Sequence, residues 1–242
     1  MQIVVAHSER ATLRVGDTFL KIDGDRARLD REAEVMALAP LPTPAILWHR
    51  PNVLALAALP GAALGRLGAL STASAGAWSA AGAAARRLHD SPPPPWTGRG
   101  PDETGSDLEQ ECAWLVAHDA VPEAVVERNR RVAEAAFRPY EFVFTHGDLQ
   151  PDHVFVDGDE VVGVLDWSEA GRGDPLLDLA VLTLGHEERL DQVLAGYGEE
   201  VDVEVIRAWW SLRSLTSIRW LIEHGFDPSL PGTEMDVLLA RM

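Results

Sequence analysis

Apolar positions change rhythm along the chain. In the first sixty residues they come in short runs, "QIVVA", "ATLRV" and "TFLKID", separated by polar turns. That pattern predicts three strands of an antiparallel meander. "DRARLDREAEVMALA" changes to helical spacing, with Leu29, Ala33 and Met36 on one inward stripe. Glu32 borders that stripe, three residues after Leu29 and four before Met36, whereas Glu34 points nearly the opposite way. Two further strands, "PAILWHR" and "NVLALAAL", run up to Pro60-Gly61, which reads as a hinge.

Beyond residue 60 the pattern is mostly helical. Helices are expected over 72–89, 107–118, 122–137, 176–185, 187–197, 202–224 and 232–241. "DSPPPPWTGRGPDETGS" cannot continue a helix and reads as an exposed, stiff connector. "HVFV", "DGD" and "EVVGVLDW" read as two strands joined by an Asp-Gly turn. Residues 1–59 therefore form a strand-rich unit and 60–242 a helical one.

Charge narrows the partners. The net charge is −17, and no basic cluster offsets it, so nucleic acid is not an expected partner. A cationic ligand is attracted into an acidic cleft. The longest apolar run, "VLALAALPGAAL", is interrupted by Pro60-Gly61 and is too short to span a bilayer. The N-terminus has neither a basic start nor a small-residue cleavage site, so no secretion signal is expected. A single cysteine, Cys112, reads as a buried small apolar group and suits a cytoplasmic location. Of the 21 basic residues only Lys21 is a lysine, and it lies in the third strand segment. A compact ammonium reaches a phosphate in a way a forked guanidinium does not copy.

The chemistry concentrates in "FVFTHGDLQPDHVFV". Asp148 precedes the hairpin and Asp166 ends it, so a tight hairpin brings both carboxylates to one mouth. Two close carboxylates repel unless a cation sits between them, and oxygen ligands favour Mg²⁺.

"HGDLQPDH" followed by "VLDW" resembles the catalytic loop and metal-binding acid of the protein-kinase-like fold. With Gly after His and "DWSEAGRGDPLLDLA" further on, the chain resembles the aminoglycoside phosphotransferase family, which includes macrolide kinases. The resemblance implies an α+β, bilobal fold with a small antiparallel-sheet N-lobe and a mostly helical C-lobe. It implies that Asp148 accepts the proton of an acceptor hydroxyl and orients it. It assigns Mg²⁺ binding to Asp166, phosphate contact to Lys21 and positioning of that lysine to Glu32, with ATP or GTP as phosphoryl donor. His146 is expected to brace the loop, and Asp174 and Asp178 to cap or anchor backbone around it.

The pattern departs from the family in three places. His153 stands where Asn is usual; it is a candidate metal ligand, a hydrogen-bond partner of Asp148, or the mark of a single-ion site. The turn "AHSERA" has no glycine, leaving Ser8 to offer a hydroxyl or its N–H to the phosphates. The N-lobe is short, which leaves ATP against GTP undecided. The expected activity is γ-phosphate transfer to a hydroxyl of a small, cationic acceptor of aminoglycoside type. Macrolide or basic-peptide kinases, a metabolic small-molecule kinase and a non-catalytic nucleotide binder are the alternatives, and the oligomeric state is left open. Asp102, Glu103, Asp107, Glu109 and Glu111 could form a cation-attracting rim or plain solvated surface. Trp209, Trp210 and Trp220 could line an acceptor cavity or belong to the core.

Overall fold

A computed structural model describes residues 1–7, 10–98 and 101–240, with side chains described throughout these except at 101–106. The alternating segments form β1 (Gln2–His7), β2 (Arg10–Val15) and β3 (Thr18–Asp23), an antiparallel meander. After α1 (Arg26–Leu38), strands β4 (Ile46–Arg50) and β5 (Val53–Ala57) complete a five-stranded sheet in the order β1-β2-β3-β5-β4. Lys21 thus lies on the central strand, opposite Thr12 of β2 and Leu54 of β5.

Asp25 caps α1 by accepting from the Ala27 N–H. The buried positions of this helix are Leu29, Glu32, Val35 and Met36. Glu32 therefore sits within the inward stripe rather than at its border, at 1% exposure.

The expected hinge is a docked crossover. β6 (Ala62–Ala63) pairs with β8 (Val154–Asp157), so the chain is fastened as soon as it leaves the sheet. Gly61, at φ +78°, is required there, because any Cβ would collide with the Val156 carbonyl.

The remaining elements are α2 (Ala75–His89), α3 (Pro101–Ala117), α4 (Glu123–Ala133), β7 (Val143–Thr145), β8, β9 (Glu160–Val164), β10 (Gly171–Gly173), α5 (Pro175–Thr183), α6 (Leu190–Tyr197), α7 (Val203–Glu223) and α8 (Glu234–Leu239). β8 and β9 form the expected hairpin, with Gly158 at φ +58° in its turn. β7 pairs with β10. α3 begins inside the segment read as a loop, since Pro is tolerated in the first turn of a helix.

α7 runs through the middle of the helical part and buries Trp209 and Trp210 together with Ile206, Leu215 and Ile218. Trp210 donates to the Ala180 carbonyl at 2.8 Å, tying α7 to α5. Trp220, by contrast, is 43% exposed and stacks on His224. Among the described residues no helix is long and apolar enough to cross a membrane.

Candidate active site

The loop between β7 and β8 is built on buried acids. The backbone N–H groups of His146 and Gly147 donate to the two oxygens of Asp178, at 2.7 and 2.9 Å. Asp178 lies in the first turn of α5 and is fully buried, with His89 Nε2 3.1 Å away. Its neighbour Asp174 caps α5 through the Leu176 N–H and pairs with Arg138 at 2.6 Å. Both acids anchor backbone, as the sequence led one to expect.

His146 Nε2 donates to the Leu165 carbonyl at 2.8 Å, which ties the loop to the residue before Asp166. A carbonyl can only accept, so Nε2 carries the proton. Burial pushes the His146 pKa below its ordinary value, against the pull of Asp178, and the ring is neutral. Gly147, at φ +80°, turns the chain where a Cβ would collide with the Glu169 carbonyl.

Asp148 is held from three sides. Gln150 Nε2 reaches its carboxylate oxygens at 2.9 and 3.1 Å, and Arg213 Nη2 of α7 reaches Oδ1 at 3.1 Å. His153 Nδ1 donates to the Asp148 main-chain carbonyl at 2.8 Å. Burial opposes the charge on Asp148, but Arg213 and His153 outweigh it and hold the carboxyl below the usual range. His153 is shifted up: burial works against its charge, and Asp148, Asp166 and Asp152 more than compensate.

Lys21 joins the two halves of the site. Its Nζ lies 2.7 Å from both oxygens of Glu32 and 2.9 Å from Asp166 Oδ1. Burial alone lowers a lysine pKa, yet Asp166 and Glu32 hold Lys21 above its ordinary value. Asp166 is driven well below the usual carboxylate range, since Lys21 and His153 override the cost of burying it. Its backbone is left-handed at φ +58°, and Ser168 Oγ donates to Oδ1 at 3.1 Å.

A cleft open to solvent lies over this cluster. Lys21, Glu32, Asp166 and Ser168 line it together with His7, Arg10 and Arg28. Asp148 and His153 are not among the lining residues, but their charges and that of Asp166 shift one another. The structure therefore brings Lys21, Glu32, Asp148, His153 and Asp166 into one electrostatically coupled site. Ser8 lies outside the described residues.

Among the described residues, no group of three or more His, Cys, Asp or Glu side chains is arranged to hold a metal ion by itself. Asp166 fits a Mg²⁺ delivered with phosphates, because among the described residues no hydrogen bond engages its Oδ2. Such an ion needs only one or two carboxylates besides phosphate oxygens and water. His153 keeps Nε2 as its second nitrogen, a softer donor than Mg²⁺ prefers.

Residues 7–213 match the phosphotransferase enzyme family known as APH. The chain belongs to this family, the aminoglycoside phosphotransferases. It is accordingly a small-molecule kinase with the bilobal, protein-kinase-like α+β fold. No curated protein matches it by sequence. Among solved structures it resembles the macrolide 2′-phosphotransferase MphH from Brachybacterium faecium, with TM-score 0.65 and 20% identity over 98% of this chain and 91% of that one. The aminoglycoside phosphotransferase APH(3″)-Id from Streptomyces rimosus ATCC10970 matches with TM-score 0.63 and 26% identity, covering 89% of this chain and 92% of that one. The same enzyme in complex with ADP and streptomycin matches with TM-score 0.61 and 26% identity, over 85% and 90% of the two chains.

Three contributors were not legible in the sequence: Arg213, Gln150 and the His89–Asp178 contact. Arg213 left one usable signal, a lone charge in the apolar run "WWSLRSL". Of the acidic rim, Asp107 and Glu109 are exposed and Glu111 is half-buried beside Arg219, while the side chains of Asp102 and Glu103 lie outside the description. Cys112 is buried, and burial pushes its thiol up to about 11.

Proposed function

We propose that this family member moves the γ-phosphate of ATP or GTP to a hydroxyl of a small cationic acceptor, an aminoglycoside-type antibiotic. In this reading residues 1–59 form the nucleotide-binding lobe and 60–242 carry the catalytic loop and acceptor site. The observation that carries it is the ion pair of Lys21 with Glu32 and Asp166, on a strand, a helix and a hairpin end, electrostatically coupled to Asp148.

Asp148 receives the acceptor hydroxyl in a hydrogen bond and takes its proton as the new O–P bond forms. The bond between the γ-phosphorus and the bridging oxygen breaks, and the electron pair leaves with the nucleoside diphosphate. Lys21 supports the phosphates on the leaving side, and Glu32 keeps its ammonium in place. Asp166 is the residue to hold Mg²⁺, which when bound supplies positive charge to the terminal phosphates. The ADP–streptomycin complex of APH(3″)-Id supports nucleotide donor and aminoglycoside acceptor. The net charge of −17 supports attraction of a cation, and the single buried thiol supports a cytoplasmic location.

A macrolide acceptor is the second reading, favoured because His153 in place of Asn, together with "DWSEA", resembles the macrolide kinases of the family. Incubation with γ-labelled ATP or GTP, Mg²⁺ and a panel of aminoglycosides, macrolides and basic peptides decides between them. Transfer to an aminoglycoside supports the first reading and transfer to a macrolide the second. No transfer to any of them removes resistance chemistry from consideration.

A further inference from the structure

We propose that Arg10 and Arg28 form a second phosphate-binding element of the cleft, recognising the terminal phosphates of a nucleoside triphosphate beside Lys21. The inference rests on the nucleotide reading above and adds two recognition residues to it.

Lys21 is met by two carboxylates, so its ammonium brings no uncompensated charge to an incoming anion. The rest of the chain is strongly acidic, at net −17, and repels a polyphosphate. A triphosphate therefore needs positive charge supplied locally. Arg10 of β2 and Arg28 of α1 line the same cleft as Lys21 and Asp166. Among the described residues both pair with a single acid, Asp23, at 3.0 Å each. Among the described residues of this wall, two guanidinium groups sharing one carboxylate leave a surplus of one positive charge.

Hydrogen-bonding capacity points the same way. The contacts to Asp23 use Nε of Arg10 and Nη1 of Arg28. A guanidinium has five donor hydrogens, so each keeps unused donors. Both side chains are about one-third exposed, at 34%, and remain accessible from the cleft. Asp23 is itself 4% exposed and receives the Asp25 N–H at 2.8 Å, which fixes the acid that aligns the two arginines. A planar fork held in this way suits bidentate phosphate contact.

The sequence "AHSERA", which contains Arg10, has no glycine to let main-chain N–H groups close over a phosphate. Side-chain forks from β2 and α1 supply a cradle by other means. His7, on the same wall, is kept below its ordinary pKa by burial and by His224, Arg10 and Arg28, so it adds no charge of its own near neutrality.

The test measures binding of ATP, ADP and AMP, and of GTP, GDP and GMP, each with Mg²⁺, by calorimetry. Wild type is compared with Arg10→Gln, Arg28→Gln and Arg28→Lys. Arg31→Gln serves as a control, since Arg31 stacks over Trp96 and does not line the cleft. Each Gln variant is expected to weaken the triphosphate about tenfold and the monophosphate less than twofold, with a shallower salt dependence, while Arg28→Lys recovers part of the loss. A melting scan of each variant accompanies the binding data. Equal weakening of triphosphate and monophosphate with a lowered melting temperature makes the two arginines a structural tie and overturns the proposal. Unchanged triphosphate affinity in the Gln variants also overturns it while leaving the nucleotide reading intact. A wild type that binds no nucleotide ends both.

Discussion

Arg213 of α7 donates to Asp148 Oδ1 at 3.1 Å, linking residues 65 positions apart. The guanidinium offsets the burial of the carboxylate, so Asp148 stays ionised below the usual carboxylate range. Removing Arg213 removes a lowering influence, and the acid then protonates at higher pH. In Arg213→Gln the acid limb of the pH–activity profile is expected to move toward neutrality. Loss of a charge-assisted hydrogen bond also lowers kcat/KM by roughly 10- to 100-fold. Phosphate transfer measured across pH checks both effects. An unmoved acid limb means that Asp148 is not the group being titrated.

Asp148→Asn keeps the shape of the side chain and removes the proposed proton acceptor. Transfer is expected to fall by about 10²–10⁴, the range for a positioned general base, while nucleotide affinity stays within about twofold. Single-turnover transfer and calorimetry on the same preparation separate the two.

Lys21→Met leaves Glu32 and Asp166 facing each other without a cation. Glu32 is 1% exposed on its side chain, whereas Asp166 is 39% exposed and partly screened by solvent. The expected loss of folding stability is about 3 kcal/mol, the low end for removing one partner of a buried pair. Urea unfolding measures it. Mg²⁺ with ATP should stabilise the wild type further and the variant little.

Gly147→Ala places a methyl group where the Glu169 carbonyl lies and forces a non-glycine residue to φ +80°. A cost of at least about 1–3 kcal/mol is expected from the backbone alone. The next residue is Asp148, so activity should fall further than the loss of folded protein explains. The urea midpoint and kcat, compared on the folded fraction, check this.

His146 gives stability a pH dependence with a defined sign. Its folded pKa lies below the ordinary 6.5 because the ring is buried. The unfolded chain therefore binds a proton there that the folded one refuses, and stability falls as pH drops below about 6.5. His186 and His7, also shifted down, act with the same sign. Urea titrations at about pH 7 and about pH 5 should show a smaller acid loss in His146→Gln, whose amide can still donate to Leu165.

The part of this architecture visible in the sequence was the part written locally. Alternation marked β1 to β3, and "HGDLQPDH", "VLDW" and "DWSEAGRGDPLLDLA" carried the family resemblance. What was hidden depends on contacts between distant segments. Arg213 showed only as a lone charge in an apolar run, and its partner Asp148 lies 65 positions away. Gly61 read as a flexible joint, yet its missing Cβ serves a close backbone approach to Val156. Pro101 opened a helix inside a stretch that composition marked as loop, because four nearby prolines outweighed one start signal. Of the three late tryptophans, two belong to the core and Trp220 to the surface, a division that helical spacing alone did not make.

The left-handed backbone at Asp166 closes a mutational route that chemistry alone would leave open. Glutamate carries the same charge and the same two oxygens, and elsewhere on the surface the exchange costs little. At φ +58° a longer side chain without aspartate's tolerance of that region starts from a strained main chain before its carboxylate is aimed anywhere. The replacements this backbone accommodates best are asparagine and glycine, and both give up the charge that Lys21 meets.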